Sequence, residues 1–351
     1  MFKDIKGSKL NNILSRNVLS KNTRWWQPLF NKPVFDLGES DGEELSNIFT
    51  PQYDRKLVEQ FVHKQFLEGA KAHSDKYVLY DLYEYNLRQA FKKINLKANE
   101  NKEWKVLDIG SVSGNTIIPL LKLIPNIKLL ASEFSIPMLV TLKDSLVHHK
   151  VSESCDLLQL NAEDLDFKSN SFDLIIGGAI LHHLFSPHKT IEGCFKILKK
   201  NGYAIFFEPF ISGNEMLSLI FQSIIDLSYT YSLDPKLLRY LNSWMGFVHR
   251  VKGEDKTDNK FLSIDDKWLF TRSYFYKFAR QYHFRKCIIY PLYQRERQFE
   301  SQVKTILEIY GNFKAEIIPQ WLWETVREYD RKLTEEQKES LLIEGCVIFQ
   351  K

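Results

Sequence analysis

The run Asp108-Ile109-Gly110-Ser111-Val112-Ser113-Gly114 joins an apolar, β-type segment to a helical one. Glycines in such a turn let the backbone come close to a ligand, and the carboxyl end of a strand is where open sheets bind ligands. A phosphate-cradling loop needs Lys directly after its last glycine, and a dinucleotide fingerprint needs GxGxxG. Here no Lys follows Gly114, and Val112 and Asn115 occupy the fingerprint positions. An acid placed just ahead of the glycine turn suits a ligand that carries an ammonium group rather than a pyrophosphate.

Further polar residues recur at the ends of later β-type segments. Glu133 closes LLASE, where a carboxylate can accept hydrogen bonds from both hydroxyls of a ribose. Asn161 and Ala162 follow LLQL, and an amide there can read the edge of an adenine ring. His182 and His183 follow SFDLIIGGAIL, and histidine is the commonest general base for an acceptor of high pKa. With His188 they suggest a metal, but Ser186-Pro187 intervenes and no Cys or carboxylate completes a ligand spacing, so no metal is expected.

Short β-rich runs alternating with helical stretches must position these residues, and that alternation indicates a parallel α/β sheet. The predicted strands are 104–109, 127–132, 155–160, 172–176 and 203–208, with helices over 115–124, 135–149 and 187–200. The rhythm returns with a helix near 271–282 and strands near 285–290 and 345–351. The chain thus divides into a helical N-terminal extension (1–100), a core (101–210), a helical insertion (211–265), a return to the core (266–293 and 341–351) and a second insertion (294–340). At 351 residues, one domain with substantial additions is the natural expectation.

Composition narrows the function classes. A net charge of +4 spread along the chain does not make a nucleic-acid-binding surface, which needs clustered Lys and Arg. Four scattered cysteines without a CxxC pair predict buried free thiols rather than a disulfide framework or zinc site. The basic N-terminus lacks the apolar core of a signal peptide, and no window is apolar enough to span a bilayer, so a cytoplasmic location is expected. The high aromatic content of 14% suits pockets and helix-packing faces alike.

Taken together, VLDIGSVSG, LLASEFS, LQLNAED, SFDLIIGGAILHHL and ILKKNGYAIFFEP resemble, in order and spacing, the class I S-adenosylmethionine-dependent methyltransferases. The likeness is to the group of ubiquinone and menaquinone C-methyltransferases and natural-product methyltransferases. It implies a Rossmann-like sheet of seven mostly parallel strands, the last antiparallel and inserted beside the fifth. It also implies roles: Asp108, Gly110, Ser111 and Gly114 at the methionine part of S-adenosylmethionine, Glu133 at the ribose, Asn161 and Ala162 at the adenine, and Gly177 and Gly178 below the sulfonium. Three positions depart from the family's pattern: Val112 replaces a middle glycine, Asn161 a common Asp, and Lys200-Asn201 a common Pro-Gly.

The implied enzyme moves a methyl group to a small or medium organic acceptor, such as a secondary metabolite, a quinone-like ring or a lipid, with His182 or His183 available as base. The rival reading is a non-catalytic relative that binds a partner through its added segments. A lid over the crevice is expected from residues 54–94 and from the insertion after Glu208, with Tyr77, Tyr80 and Phe210 facing the acceptor.

Overall fold

The computed structural model describes residues 24–40, 43–97, 101–253, 256, 259–292 and 295–351. The basic N-terminal stretch read above, and parts of the charged runs near 98–100 and 254–258, lie outside the described residues.

Nine strands form one sheet: β1 (Phe35–Ser40), β2 (Glu43–Thr50), β3 (Trp104–Ile109), β4 (Ile127–Glu133), β5 (Cys155–Gln159), β6 (Phe172–Gly178), β7 (Leu198–Pro209), β8 (Lys286–Pro291) and β9 (Glu344–Gln350). Their order is β1-β2-β5-β4-β3-β6-β7-β9-β8. Strands β2 to β7 pair in parallel, whereas β9 runs antiparallel to both β7 and β8. The order reverses at β3, whose neighbours β4 and β6 lead away in opposite directions. Such a switch point opens a crevice at the strands' carboxyl ends.

The helices are α1 (Arg55–Phe61), α2 (Lys64–Glu68), α3 (Ala70–Lys76), α4 (Tyr80–Lys93), α5 (Ile117–Leu123), α6 (Ile136–His148), α7 (Pro187–Ile197), α8 (Ile211–Leu227), α9 (Pro235–Arg250), α10 (Arg272–Gln281), α11 (Gln298–Lys304), α12 (Gln320–Lys332) and α13 (Glu335–Ser340). Alternate strand residues serve opposite faces. Val106, Leu129, Leu174 and Ile205 pack under α4, α5 and α6. Leu107, Leu130, Ile175 and Phe206 pack with α7, α10 and Trp26. Both faces being covered explains why the strands read as apolar runs rather than alternating ones.

The sheet corrects the expectation of seven strands, because residues 35–50 of the N-terminal extension are a strand pair rather than part of a helical segment. The Asp36 carboxylate accepts from the amides of Gly38 and Asn47, holding the pair across an irregular register. Ile48 and Phe49 of β2 then align with Leu157 and Leu158 of β5. Trp26 seals the outer face against Phe49, with ring centroids 5.5 Å apart. The two insertions pack on each other: α8 and α9 share a buried cluster with α11 and α12, built on Phe221, Leu237, Phe299 and Leu322. Cys287 and Cys346 lie on the neighbouring strands β8 and β9 as free thiols. No helix among the described residues is long and apolar enough to cross a membrane.

Candidate active site

At the end of β3 the chain folds back on itself through three residues of positive φ, Gly110 (72°), Val112 (39°) and Gly114 (82°). Gly110 is obligatory for space as well as conformation, since a Cβ there would stand 2.7 Å from the Ile180 side chain. Hydrogen bonds tie the loop to β4: the amides of Gly110 and Ser111 donate to Ser132 O, and Ser132 Oγ donates to Asp108 O. Ser111 Oγ donates to Asp108 Oδ1 at 2.6 Å and accepts from the Ser132 amide. Ser111 therefore braces the acid. Asp108 is fully buried, and its Oδ2 has no hydrogen-bond partner. Burial pushes its carboxyl up to about 7, despite the stabilising hydroxyls of Ser111 and Thr116.

One strand over, Glu133 Oε1 accepts from the amides of Phe134 and Ser135 at the start of α6. Burial raises this carboxyl above its usual range, against the pull of those amides and that of Val112. At the end of β5, Asn161 Oδ1 accepts from the Glu163 amide, and the Asn161 amide donates to the Tyr53 hydroxyl. Ala162 is buried, with its carbonyl bonded by Thr190. Glu163 Oε1 takes the amides of Phe185 and Ser186 just before α7, as a carboxylate at a helix N-terminus does.

These strand ends form one wall of a cleft of about 690 Å³, counting its open mouth. Gly110, Val112, Glu133, Leu160, Asn161, Ala162, Ala179 and Ile180 lie along it, and Phe61, His63 and Phe66 face them from the short helices near α1 and α2. Ser135 Oγ holds that cover down by donating to Phe66 O at 2.6 Å, while Phe61 meets Phe185 edge-on at 5.6 Å. His183, Asp265 and Lys267 close the far side. Gln65 donates to Asp265, so the N-terminal cover and the segment after the first insertion touch each other.

His182 lies just behind this far wall. Its Nδ1 is 2.7 Å from Glu208 Oε2 and its Nε2 is 3.5 Å from Asp266 Oδ1. Glu208 also takes the amides of Ile180, Leu181 and His182, which fixes the whole turn. Burial opposes charge on His182, but the two carboxylates outweigh it and lift its pKa to about 10. With both ring nitrogens turned to carboxylates and the ring outside the cleft lining, His182 is not placed to take an acceptor's proton, which corrects its assignment as general base. His183 reaches the cleft, with Nδ1 3.3 Å from Asp265 O.

Other expected site residues sit elsewhere. The spaces beside the Gly177 and Gly178 Cα atoms are filled by Phe206 with Ile180, and by Thr116 with Tyr83, so these glycines serve close packing while Ala179 and Ile180 reach the cleft. A Cβ on Gly114 would meet Leu142 of α6 at 2.9 Å. Tyr80 turns away, its hydroxyl 2.9 Å from Ser145 Oγ and its ring against His149. Phe210 is in the core beside Phe275, because β7 continues there into α8 beneath β9. Tyr77 lies between His73 and Tyr310 of the second insertion. Phe61, Phe66 and Asp265 went unread for want of any local motif, whereas Glu208 could have been found as a charged residue ending an apolar strand.

A methyltransferase-domain family matches residues 107–206, the stretch from β3 to β7. This stretch is similar to a methyltransferase domain. The malonyl-[acyl-carrier protein] O-methyltransferase of Haemophilus ducreyi is 27% identical over 157 residues, which is 44% of this chain and 58% of that protein. The ubiquinone/menaquinone biosynthesis C-methyltransferase of Pasteurella multocida is 24% identical over 159 residues, 45% of this chain and 58% of its own length. This chain thus spans little more than half the length of these curated relatives. Among solved structures, phosphoethanolamine N-methyltransferase 2 of Haemonchus contortus, in complex with phosphomonomethylethanolamine and S-adenosylhomocysteine, gives a TM-score of 0.49 at 11% identity, covering 86% of this chain and 61% of that one. The matched residues account for the crevice at β3 to β6 and for His183 and Phe185 at its edge, whereas Phe61, His63, Phe66, Asp265 and Lys267 come from outside them.

Proposed function

We propose that the protein transfers a methyl group from S-adenosylmethionine to a small or medium organic acceptor, of quinone-like, lipid-like or secondary-metabolite type. The observation that carries this reading is the unpartnered oxygen of buried Asp108 behind the glycine loop, one strand from Glu133. The residues fit the cofactor. Asp108 offers a carboxylate to its ammonium group, Glu133 offers one to ribose hydroxyls, and Asn161 with Ala162 and Leu160 offers an amide and an apolar wall to adenine. When bound, S-adenosylmethionine supplies an electrophilic methyl group for in-line displacement.

The chain's own task is positioning and exclusion of water. The loop 110–114 fixes the cofactor end of the cleft, and Phe61, Phe66 and Phe185 roof it with apolar rings. His183, on the turn after β6, lines the cleft together with His63 of the cover, and is the proposed proton acceptor where the acceptor needs one. A cytoplasmic setting and a diffusible acceptor rather than a nucleic acid belong to the same reading.

Titration with S-adenosylhomocysteine followed by a metabolite screen with labelled methyl cofactor tests it. Saturable binding and label transfer to an organic compound are expected. Absence of binding heat would instead favour a non-catalytic relative that works through its helical additions.

A further inference from the structure

The turn after β6 and the segment leading into α10 bring together two imidazoles and two carboxylates. One ligand atom from each of His182, His183 and Asp266 lies within 4.8 Å of the others. Asp266 Oδ1 is 3.5 Å from His182 Nε2 and 3.4 Å from His183 Nδ1, and Asp265 Oδ1 is 3.0 Å from the same Nδ1. Ligands bonded to one ion at about 2.1 Å stand roughly 3 to 3.6 Å apart, so this is the spacing of a coordination sphere. The Asp265 Oδ1 atom is buried and pairs with the His183 ring.

Charge and orientation point the same way. Glu208, Asp265 and Asp266 bring three negative charges and Lys267 one positive, leaving two to be balanced at this spot. Two protons on the histidines can do so, or one divalent cation with neutral rings. Glu208 on His182 Nδ1 at 2.7 Å is the outer-shell carboxylate that sets which ring nitrogen faces a metal. Asp265 is 82 positions along the chain from His183, so no spacing rule could have revealed the set.

We propose that His182, His183 and Asp266, with Asp265 beside them on the His183 ring, bind one divalent transition-metal ion of the zinc class. Mixed imidazole and carboxylate donors suit zinc, cobalt or manganese better than calcium. The ion clasps the segment before α10 to the turn after β6, fixing the far wall of the cleft. This inference is independent of the cofactor reading, since it concerns only metal uptake. An ion on His183 Nδ1 leaves its other ring nitrogen protonated, however, so the metal-bound protein would not use His183 as proton acceptor.

The test is titration of chelator-stripped full-length protein with Co²⁺, followed by its visible absorption, and displacement by Zn²⁺. One equivalent is expected. Asp266→Asn should weaken uptake at least about tenfold, and Glu208→Gln by about 10- to 100-fold. If Asp266→Asn loses its folded circular dichroism, His183→Gln, which leaves the His182–Glu208 contact intact, decides the matter. No stoichiometric uptake by the wild type, or unchanged uptake by a folded variant, overturns the site. Binding of S-adenosylhomocysteine to the same stripped protein is read separately, so its failure counts only against the methyltransferase reading.

Discussion

The two walls of the cleft are built in opposite ways. The strand-end wall, from Gly110 through Glu133 to Asn161, takes one short turn from each of three parallel neighbours, and each turn is braced by bonds to residues close in sequence or on the next strand. The opposite wall joins Phe61 and Phe66 from the N-terminal cover, His183 from the turn after β6, and Asp265 and Lys267 from beyond the first insertion. The first wall follows from local chain geometry, because a strand must deliver its last residue to the crevice. The second exists only once distant segments have packed. On the proposed function, cofactor recognition falls to the first and acceptor choice to the second, so substitutions in the two should fail differently.

The largest difference is expected at Glu133. Removing its carboxylate takes away one or two charge-assisted hydrogen bonds to a ribose, worth about 1.5–3 kcal/mol each. Glu133→Ala should therefore weaken S-adenosylhomocysteine binding roughly 10-fold to more than 100-fold. Its bonds to the Phe134 and Ser135 amides are a helix-start contact, so folding stability should fall by only about 1 kcal/mol. Calorimetric titration beside thermal melting separates the two numbers. An unchanged titration curve would remove Glu133 from the cofactor site.

Asp108 should couple binding to pH. Its free-protein pKa of about 7 would be lowered by an approaching ammonium group, so cofactor binding expels a proton. With a pKa of 7 in the free protein, affinity should rise about tenfold from about pH 6 to about pH 8 and level off above that. Because its folded pKa lies above its unfolded value, Asp108 favours folding at low pH, and that contribution is lost as pH rises through 7. Asp108→Asn should flatten the affinity profile and raise the melting temperature of the ligand-free protein at about pH 8. A tenfold profile surviving in this variant would assign the proton to another group.

The distant wall should respond more weakly and in another observable. Phe61→Ala removes an edge-on pair with Phe185, worth about 0.5–1.5 kcal/mol beyond its buried area. Cofactor affinity should change only a few-fold, while hydrogen exchange over residues 54–68 should speed up in the bound state. Identical exchange in variant and wild type would make this cover a fixed structural element instead of a lid.

The same contrast explains what was legible before the structure. The core strands and the polar residues ending β3, β4 and β5 are legible because apolar runs and glycine turns are local signals, whereas the antiparallel β9 beside β7 follows only from the family resemblance. The β1–β2 pair was missed because its apolar pattern is short and interrupted, and Ile48 and Phe49 gain their place only against β5. Tyr80 and Phe210 are expected at the acceptor because their segments can reach over the strand ends, which says nothing of the direction a ring faces. Ser145 draws the Tyr80 hydroxyl outward, and the β7-to-α8 turn buries Phe210. His182 was placed correctly after β6, but its pairing with Asp266 depends on a segment that no motif links to it.

The smallest effect is expected at Val112, where the legible wall departs from its own pattern. A β-branched residue at φ 39° occupies a conformation that its Cβ disfavours, at a cost on the order of 1–3 kcal/mol. Glycine relieves that strain but adds freedom to the unfolded chain, which costs about 0.5–1 kcal/mol. Val112→Gly should thus raise stability by no more than about 2 kcal/mol, seen as a small upward shift in melting temperature. Since Val112 lines the cleft and its amide faces Glu133, the same change should leave cofactor affinity within a few-fold of wild type if the loop is held by its bonds to Ser132. A large gain in affinity would mean that the valine side chain obstructs the cofactor. A large loss would mean that its strained backbone, and not the Ser132 bonds, is what keeps the loop in shape.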